Sequence, residues 1–194
     1  MAHFKIIVLK KKSTFVKEFF KEKKQVGAIA PSSKFLMKKM LKPIDFSTAK
    51  VVIELGPGNG VFTKGLLDKL TKDAKLFSFE LNENFYDLIK SDIVDERLIL
   101  LNKSADCIME VLAEHNIDEV DYVISSLPLA VIDASIKQAI LDASVKALKP
   151  EGKYVQFQYS LNAKKLLESK FKNVSYKFVP ANIPPAFVYT STNN

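Results

Sequence analysis

The chain's 194 residues, 47% hydrophobic and 26% charged, suffice for one soluble domain with a full core and no covalent staples. Cys107 is the single cysteine, which excludes an intrachain disulfide and points to a reducing compartment. His3 and His115 are the only histidines, so neither a zinc site nor a His-based nucleophile is expected. The net charge of +7 is unevenly placed: residues 1–42 hold twelve lysines and two acids (+10), whereas residues 43–194 carry −3. This split predicts a basic N-terminal arm, 1–42, and a mildly acidic body, 43–194. The opening MAHFKIIVLKKK sets its apolar run before its lysines and has no small-residue cleavage site, so a signal peptide is not expected. No apolar run approaches the roughly 18 residues of a spanning helix.

From Ser13 to Lys24 the pattern STFVKEFFKEKK sets Phe15, Val16, Phe19 and Phe20 on one helical stripe, with lysines on the other faces. Such a helix either lies in a membrane interface, rings in the acyl boundary and ammonium groups on anionic head groups, or packs on the core with a solvated lysine face. Both readings stand at this point. A short helix over Lys34–Leu41 follows, capped by Ser32 or Ser33 and stopped by Pro43. Strands near 51–55, 76–80, 98–101 and 121–125 then alternate with helices near 61–71, 84–91, 106–115 and 132–148. KPEG (149–152) reads as a turn, 152–159 as a fifth strand and 161–170 as a helix. Residues 173–180 and 186–192 read as two strands. This alternation predicts a mostly parallel α/β sheet, and the short link before the last strand requires that strand to be antiparallel.

The densest signal is VVIELGPGNG (51–60). A β-branched run suited to a buried strand ends in Glu54, and Gly56, Gly58 and Gly60 follow at alternate positions. A dinucleotide fingerprint would need its third glycine at Val61, so the nicotinamide reading is weak. E-x-G-x-G-x-G instead resembles the first motif of class I methyltransferases that use S-adenosylmethionine. Glu80 closes the next strand, where an acid in doubly wound sheets accepts hydrogen bonds from the ribose hydroxyls. Asp106, after the third strand, stands where such methyltransferases hold the adenine amino group.

Beyond these, VGAIAPSS (26–33), ELGPGNGVFT (54–63), SSLPL (125–129), VQFQY (155–159) and NIPPAFVY (182–189) together resemble bacterial phospholipid N-methyltransferases. These are membrane-associating enzymes that methylate phosphatidylethanolamine, distantly related to ribosomal RNA adenine dimethylases. The resemblance runs from about Phe15 to Tyr189. It implies a Rossmann-like class I fold, with a seven-stranded, mostly parallel sheet, an antiparallel C-terminal strand and an N-terminal helical arm. It also implies S-adenosylmethionine as cofactor, bound by Ser32, Ser33, Glu54, Gly56, Gly58, Gly60, Glu80, Leu81, Ala105, Asp106 and Ser125. Ser126, Tyr159 and Asn182 are the implied catalytic, amine-orienting residues. The implied setting is cytoplasmic, with peripheral attachment to an anionic membrane through residues 1–24.

The chain departs from the family at Asn59, where Thr is usual, at Gln158, where Thr is common, and in having no tryptophan. Enzymes that methylate a base nitrogen carry N/D/S-P-P-Y/F/W or N-L-P-Y, whose aromatic stacks on the flipped base. Ser126-Leu127-Pro128-Leu129 has a leucine in that place, expected to face the acyl or glycerol part of a lipid. Two alternatives remain. One is an RNA adenine N6-methyltransferase whose lysine-rich arm grips phosphates; the other is a non-catalytic S-adenosylmethionine-binding protein.

Overall fold

The structure, a computed structural model, describes residues 34–193. Helix α1 (Lys34–Leu41) leads into β1 (Val51–Leu55), α2 (Val61–Leu67), β2 (Lys75–Phe79), α3 (Glu83–Asp92) and β3 (Leu98–Leu101). A 3₁₀ turn (Ala105–Cys107) opens α4 (Ile108–Glu114). Then come β4 (Val120–Ser125), α5 (Ala134–Ala147) and β5 (Leu148–Gln158), a second 3₁₀ turn (Leu161–Ala163), α6 (Lys164–Glu168), β6 (Asn173–Val179) and β7 (Ala186–Thr192). The seven strands form one sheet in the order β3-β2-β1-β4-β5-β7-β6. All pairs from β3 through β5 are parallel, and β7 runs antiparallel to both β5 and β6. This is the mostly parallel α/β sheet that the alternation of elements predicts, in the Rossmann-like form that the resemblance implies. Strand order reverses at β1, so the carboxyl ends of β1 and β4 border the crevice where such sheets bind ligands.

Strand alternation divides the core in two. On one face Ile53, Leu55, Phe77, Val123 and Tyr154 pack against Val111 and Leu112 of α4 and Leu141 of α5. On the other, Val52, Leu76, Ile124, Val155 and Phe157 pack against Leu36, Met40 and Leu41 of α1 and Phe62, Leu66 and Leu67 of α2. Each fully buried side chain of this size contributes about 1.5–3 kcal/mol over its exposed state. Helix α1, assigned by charge to the arm, thus shares a core with the body. Helix starts follow their caps. The Asn82 side-chain oxygen accepts from the backbone N–H of Asn84 and Phe85, and the Asp133 carboxylate accepts from that of Ser135.

Three elements differ from expectation. Helix α2 stops at Leu67, and its last turn tightens with Lys69 N–H donating to the Leu66 carbonyl at 3.0 Å. The KPEG quartet is part of β5, as a bulge: Val120 pairs with Leu148 and Tyr122 already with Lys153, while Lys149 reaches back to Asp121 at 2.5 Å. The helix expected over 161–170 is a 3₁₀ turn followed by the short α6. Among the described residues no helix is long and apolar enough to cross a membrane.

Candidate active site

The loop after β1 is built before any ligand meets it. Gly56 N–H donates to the Phe79 carbonyl and Gly60 N–H to that of Pro57, both at 3.0 Å, tying the turn to β2 and to itself. Gly58 has φ +58°, a left-handed conformation costly for other residues, and a Cβ placed there would meet nothing within 4 Å. The loop therefore presents bare backbone to open space at the end of β1. Gly60, with φ +77°, starts α2.

Glu80 is 2% exposed, just past β2. Its Oε2 accepts the Gly58 N–H at 3.1 Å and its Oε1 the Asn82 N–H at 2.8 Å. Burial raises its pKa above the usual carboxylate range, opposed by these backbone donors. Each oxygen keeps acceptor capacity beyond the one bond it makes. Leu81 is exposed beside it. In the 3₁₀ turn after β3 Ala105 is buried and Asp106 exposed.

Glu54 lies deeper and is fully buried. Its Oε2 accepts from Thr63 Oγ1 at 2.8 Å and Ser78 Oγ at 2.9 Å, and its Oε1 has no partner. Burial pushes its pKa up to about 7, held back by the two hydroxyls and raised further by nearby Glu80. Thr63 and Ser78, which hold Glu54, are residues of the candidate site that sequence reasoning missed. Ser78 left a trace as the polar residue inside the apolar strand KLFSF, and it sits in register with Glu54.

A second feature opens at the carboxyl ends of β4 and β5. A pocket of about 110 Å³ is lined by Ser126, Leu127, Pro128, Val131, Phe157 and Tyr159, with Ala130, Gln158 and Ser160. Ser126 N–H continues the sheet by donating to the Leu55 carbonyl at 2.9 Å, whereas its hydroxyl is buried without a hydrogen-bond partner. Tyr159 is 44% exposed and packs edge-on against Phe157, and partial burial raises its phenol pKa. Ser125 turns inward, its hydroxyl accepting the Leu127 N–H at 3.4 Å.

The Leu127 carbonyl accepts from both Gln158 Nε2 at 2.8 Å and Gln156 Nε2 at 3.0 Å. These glutamines clamp the pocket's loop. Their signal was the polar–apolar alternation of VQFQ in the fifth strand.

The structure thus gathers Glu54, Gly56, Gly58, Gly60, Glu80 and Leu81 around one crevice and Ser126 and Tyr159 around one pocket. Asn182 does not line that pocket. It is buried in the β6–β7 loop, its Nδ2 donating to the Pro184 carbonyl at 2.7 Å. Leu129, expected to face a lipid, is 1% exposed and belongs to the core; Leu127, Pro128 and Val131 present the apolar wall instead. Ser32, Ser33 and the 1–24 stripe lie outside the described residues.

Residues 25–179 match the family described as the methyltransferase small domain. The ornithine lipid N-methyltransferase of Singulisphaera acidiphila is 25% identical over 177 residues, covering 90% of this chain and 92% of that protein. Among solved structures, precorrin-6y C5,15-methyltransferase from Geobacter metallireducens superposes with a TM-score of 0.65 at 18% identity, covering 82% of this chain and 88% of that one. The 16S rRNA N2 G1207 methyltransferase of T. thermophilus, in complex with AdoMet and guanosine, gives 0.64 at 20% identity, covering 87% of this chain and 44% of that one. At such identities the structural likeness is one of fold.

Proposed function

The chain belongs to the methyltransferase small domain family, and from that premise we propose that it methylates the amine of a membrane phospholipid of the phosphatidylethanolamine type. It is an S-adenosylmethionine-dependent methyltransferase. The crevice fits that cofactor: bare backbone at Gly58, a buried carboxylate at Glu80 with acceptor capacity for ribose hydroxyls, and the unpaired Glu54 Oε1 at the base of the loop. When bound, the cofactor supplies an electrophilic methyl group with its own leaving group attached.

The observation that carries the substrate reading is the pocket beside this crevice, largely apolar in its lining and bordered by Ser126, whose buried hydroxyl has no hydrogen-bond partner. Ser126 Oγ can accept from or donate to a primary amine, and Leu127, Pro128 and Val131 suit the hydrocarbon and glycerol portions behind it. The relative from S. acidiphila, which covers almost the whole chain, is named for N-methylation of a lipid.

An ammonium group has no lone pair to offer, so its proton must leave before transfer. Among the described residues no carboxylate or imidazole lines the pocket, and burial keeps the Tyr159 phenol protonated at neutral pH. The protein's part is therefore orientation by Ser126 and Tyr159 and dehydration by the apolar wall, with the proton passing to water. Residues 1–24, by their charge and phenylalanine stripe, would bring this site to anionic bilayers.

Incubation with methyl-labelled cofactor and separate lipid and ribosomal RNA pools tests the reading. Label is expected in phosphatidylethanolamine or another amine-bearing lipid. Label in RNA adenines with both lipids blank would replace it with the nucleic-acid alternative, for which exposed Tyr159 would be the stacking ring. Deleting residues 1–24 should abolish sedimentation with anionic vesicles and leave cofactor affinity within about twofold.

A further inference from the structure

The far edge of the sheet carries a surface that the pocket chemistry does not use. β6 is the edge strand, and most of its side chains are exposed, Tyr176 at 42% and Phe178 at 51% among them. Phe178 is in register with Phe187, and Phe187 with Gln158, so Phe178 lies in the same row as the end of β5 that borders the pocket. The pairing of Val179 with Ala186 puts the β6–β7 loop at that same end, and at its tip Ile183 is 78% exposed. Leu161, 39% exposed, follows two residues after Tyr159. Four large apolar side chains therefore stand out from the sheet's edge and rim, continuing outward from the pocket's lip.

Their setting is basic. Residues 159–187 contain five lysines and one acid, within a body whose overall balance is −3. The acid, Glu168, pairs with Lys164, which also lies over the Tyr176 ring, and Lys170 pairs with Asp142. Lys165, Lys172 and Lys177 are exposed and have no ion pair among the described residues.

We infer that this edge is a bilayer-docking face: Phe178, Ile183 and Leu161 enter the acyl boundary, and the lysines meet anionic lipid phosphates, setting the mouth of the pocket against the head groups. Aliphatic Ile183 and Leu161 suit hydrocarbon, whereas a single-stranded nucleic acid would need rings at those places for stacking. Long exposed edges are usually blunted by charge, and β6 has Lys177 between its two exposed rings, which disfavours pairing with a second copy. This face rests on the phospholipid reading but is separate from residues 1–24, and it would hold the orientation of the site once the chain is at the surface.

The test uses full-length Phe178→Ser/Ile183→Ser and Lys172→Glu/Lys177→Glu chains beside the unaltered one. Cosedimentation is measured with vesicles of phosphatidylglycerol and phosphatidylethanolamine, alongside thermal melts, sedimentation velocity and methylation of a short-chain phosphatidylethanolamine kept below its micelle concentration. Both variants are expected to lose vesicle affinity by at least about tenfold. Melting temperatures should stay within about 3 °C, because these residues are exposed. Turnover of the monomeric lipid should be preserved. Undiminished vesicle affinity in both variants overturns the assignment. A dimer that the first variant dissolves, or RNA binding that the second removes while vesicle binding stays, overturns it in favour of those partners. If the unaltered chain methylates neither lipid form while vesicle binding is still lost, the docking face survives and the substrate reading fails.

Discussion

The two halves of the sheet solve opposite problems. On the β1–β2 side polar groups are buried and mostly satisfied: Glu54 is held by Thr63 and Ser78, and Glu80 by the N–H groups of Gly58 and Asn82. On the β4–β5 side the pocket wall is largely apolar, with Tyr159 and Ser160 at its border, and the buried hydroxyl of Ser126 has no partner. The first arrangement is rigid, because a carboxylate stripped of water keeps its place only while its hydrogen bonds hold. The second is more permissive, because a largely apolar wall directs a ligand only through a few polar groups. In the proposed reading the first half would hold the cofactor and the second the substrate.

The contrast can be broken most completely at Gly58. Gly58→Val puts a branched side chain into the open space above the loop, at a positive φ that penalises it. Binding of S-adenosylhomocysteine by titration calorimetry is expected to fall below detection in a chain whose circular dichroism remains native. Unaltered affinity would remove the cofactor from this crevice.

Glu54 comes next. Its folded pKa of about 7 stands above the ordinary 4.5, so between those values the folded protein holds a proton that the unfolded chain releases. The stabilisation is complete below pH 4.5 and is lost as pH rises through about 7, amounting to about 3 kcal/mol. The unliganded protein should therefore melt lower at pH 8 than at pH 5. Glu54→Gln should flatten that slope, leaving the smaller contribution of Glu80, which has the same sign. An equal slope in the variant would place the titrating group elsewhere.

Glu80→Ala removes acceptors for ribose hydroxyls and for two backbone N–H groups. It should weaken S-adenosylhomocysteine by roughly 1.5–3 kcal/mol in the same calorimetric assay. The smallest effect belongs to the substrate half. Gln158→Leu deletes one of two donors on the Leu127 carbonyl, about 1 kcal/mol of positioning. Lipid turnover should fall several-fold with cofactor affinity intact. Steady-state kinetics showing a loss in cofactor affinity instead would mean that the halves are not separable.

The loop and acids of the β1–β2 half were legible because their signals are local: a β-branched run ending in Glu54, alternate glycines, and Glu80 just past the next strand lie within thirty residues. The helices expected near 84–91 and 132–148 were placed by periodicity, and the structure starts them at Glu83 and Ala134, behind the caps Asn82 and Asp133. The substrate half was read less well because its geometry comes from pairing between distant strands. KPEG reads as a turn by itself and becomes a bulge only because β4 holds Asp121 opposite Lys149. The direction of Leu129 depends on the turn set by Leu127, whose carbonyl is held by glutamines about thirty residues away. Glu80 was read as waiting for a ribose, yet it first anchors its own glycine loop, a bond visible only once β1 and β2 lie side by side.

A Cβ on Gly56 would come within 2.9 Å of Leu127 Cδ2. The glycine loop after β1 and the loop that walls the pocket therefore touch through the tip of Leu127, which a side chain at 56 would have to displace, at a φ of +70° that itself penalises one. Residue choice on one side is rationed by the other. A bulkier group at 56 would push Leu127 into the pocket, and a smaller residue at 127 would leave the glycine turn unsupported. Efforts to retune the choice of acceptor should accordingly vary positions 56 and 127 as a pair, since a library that samples either alone will mostly score collisions and voids.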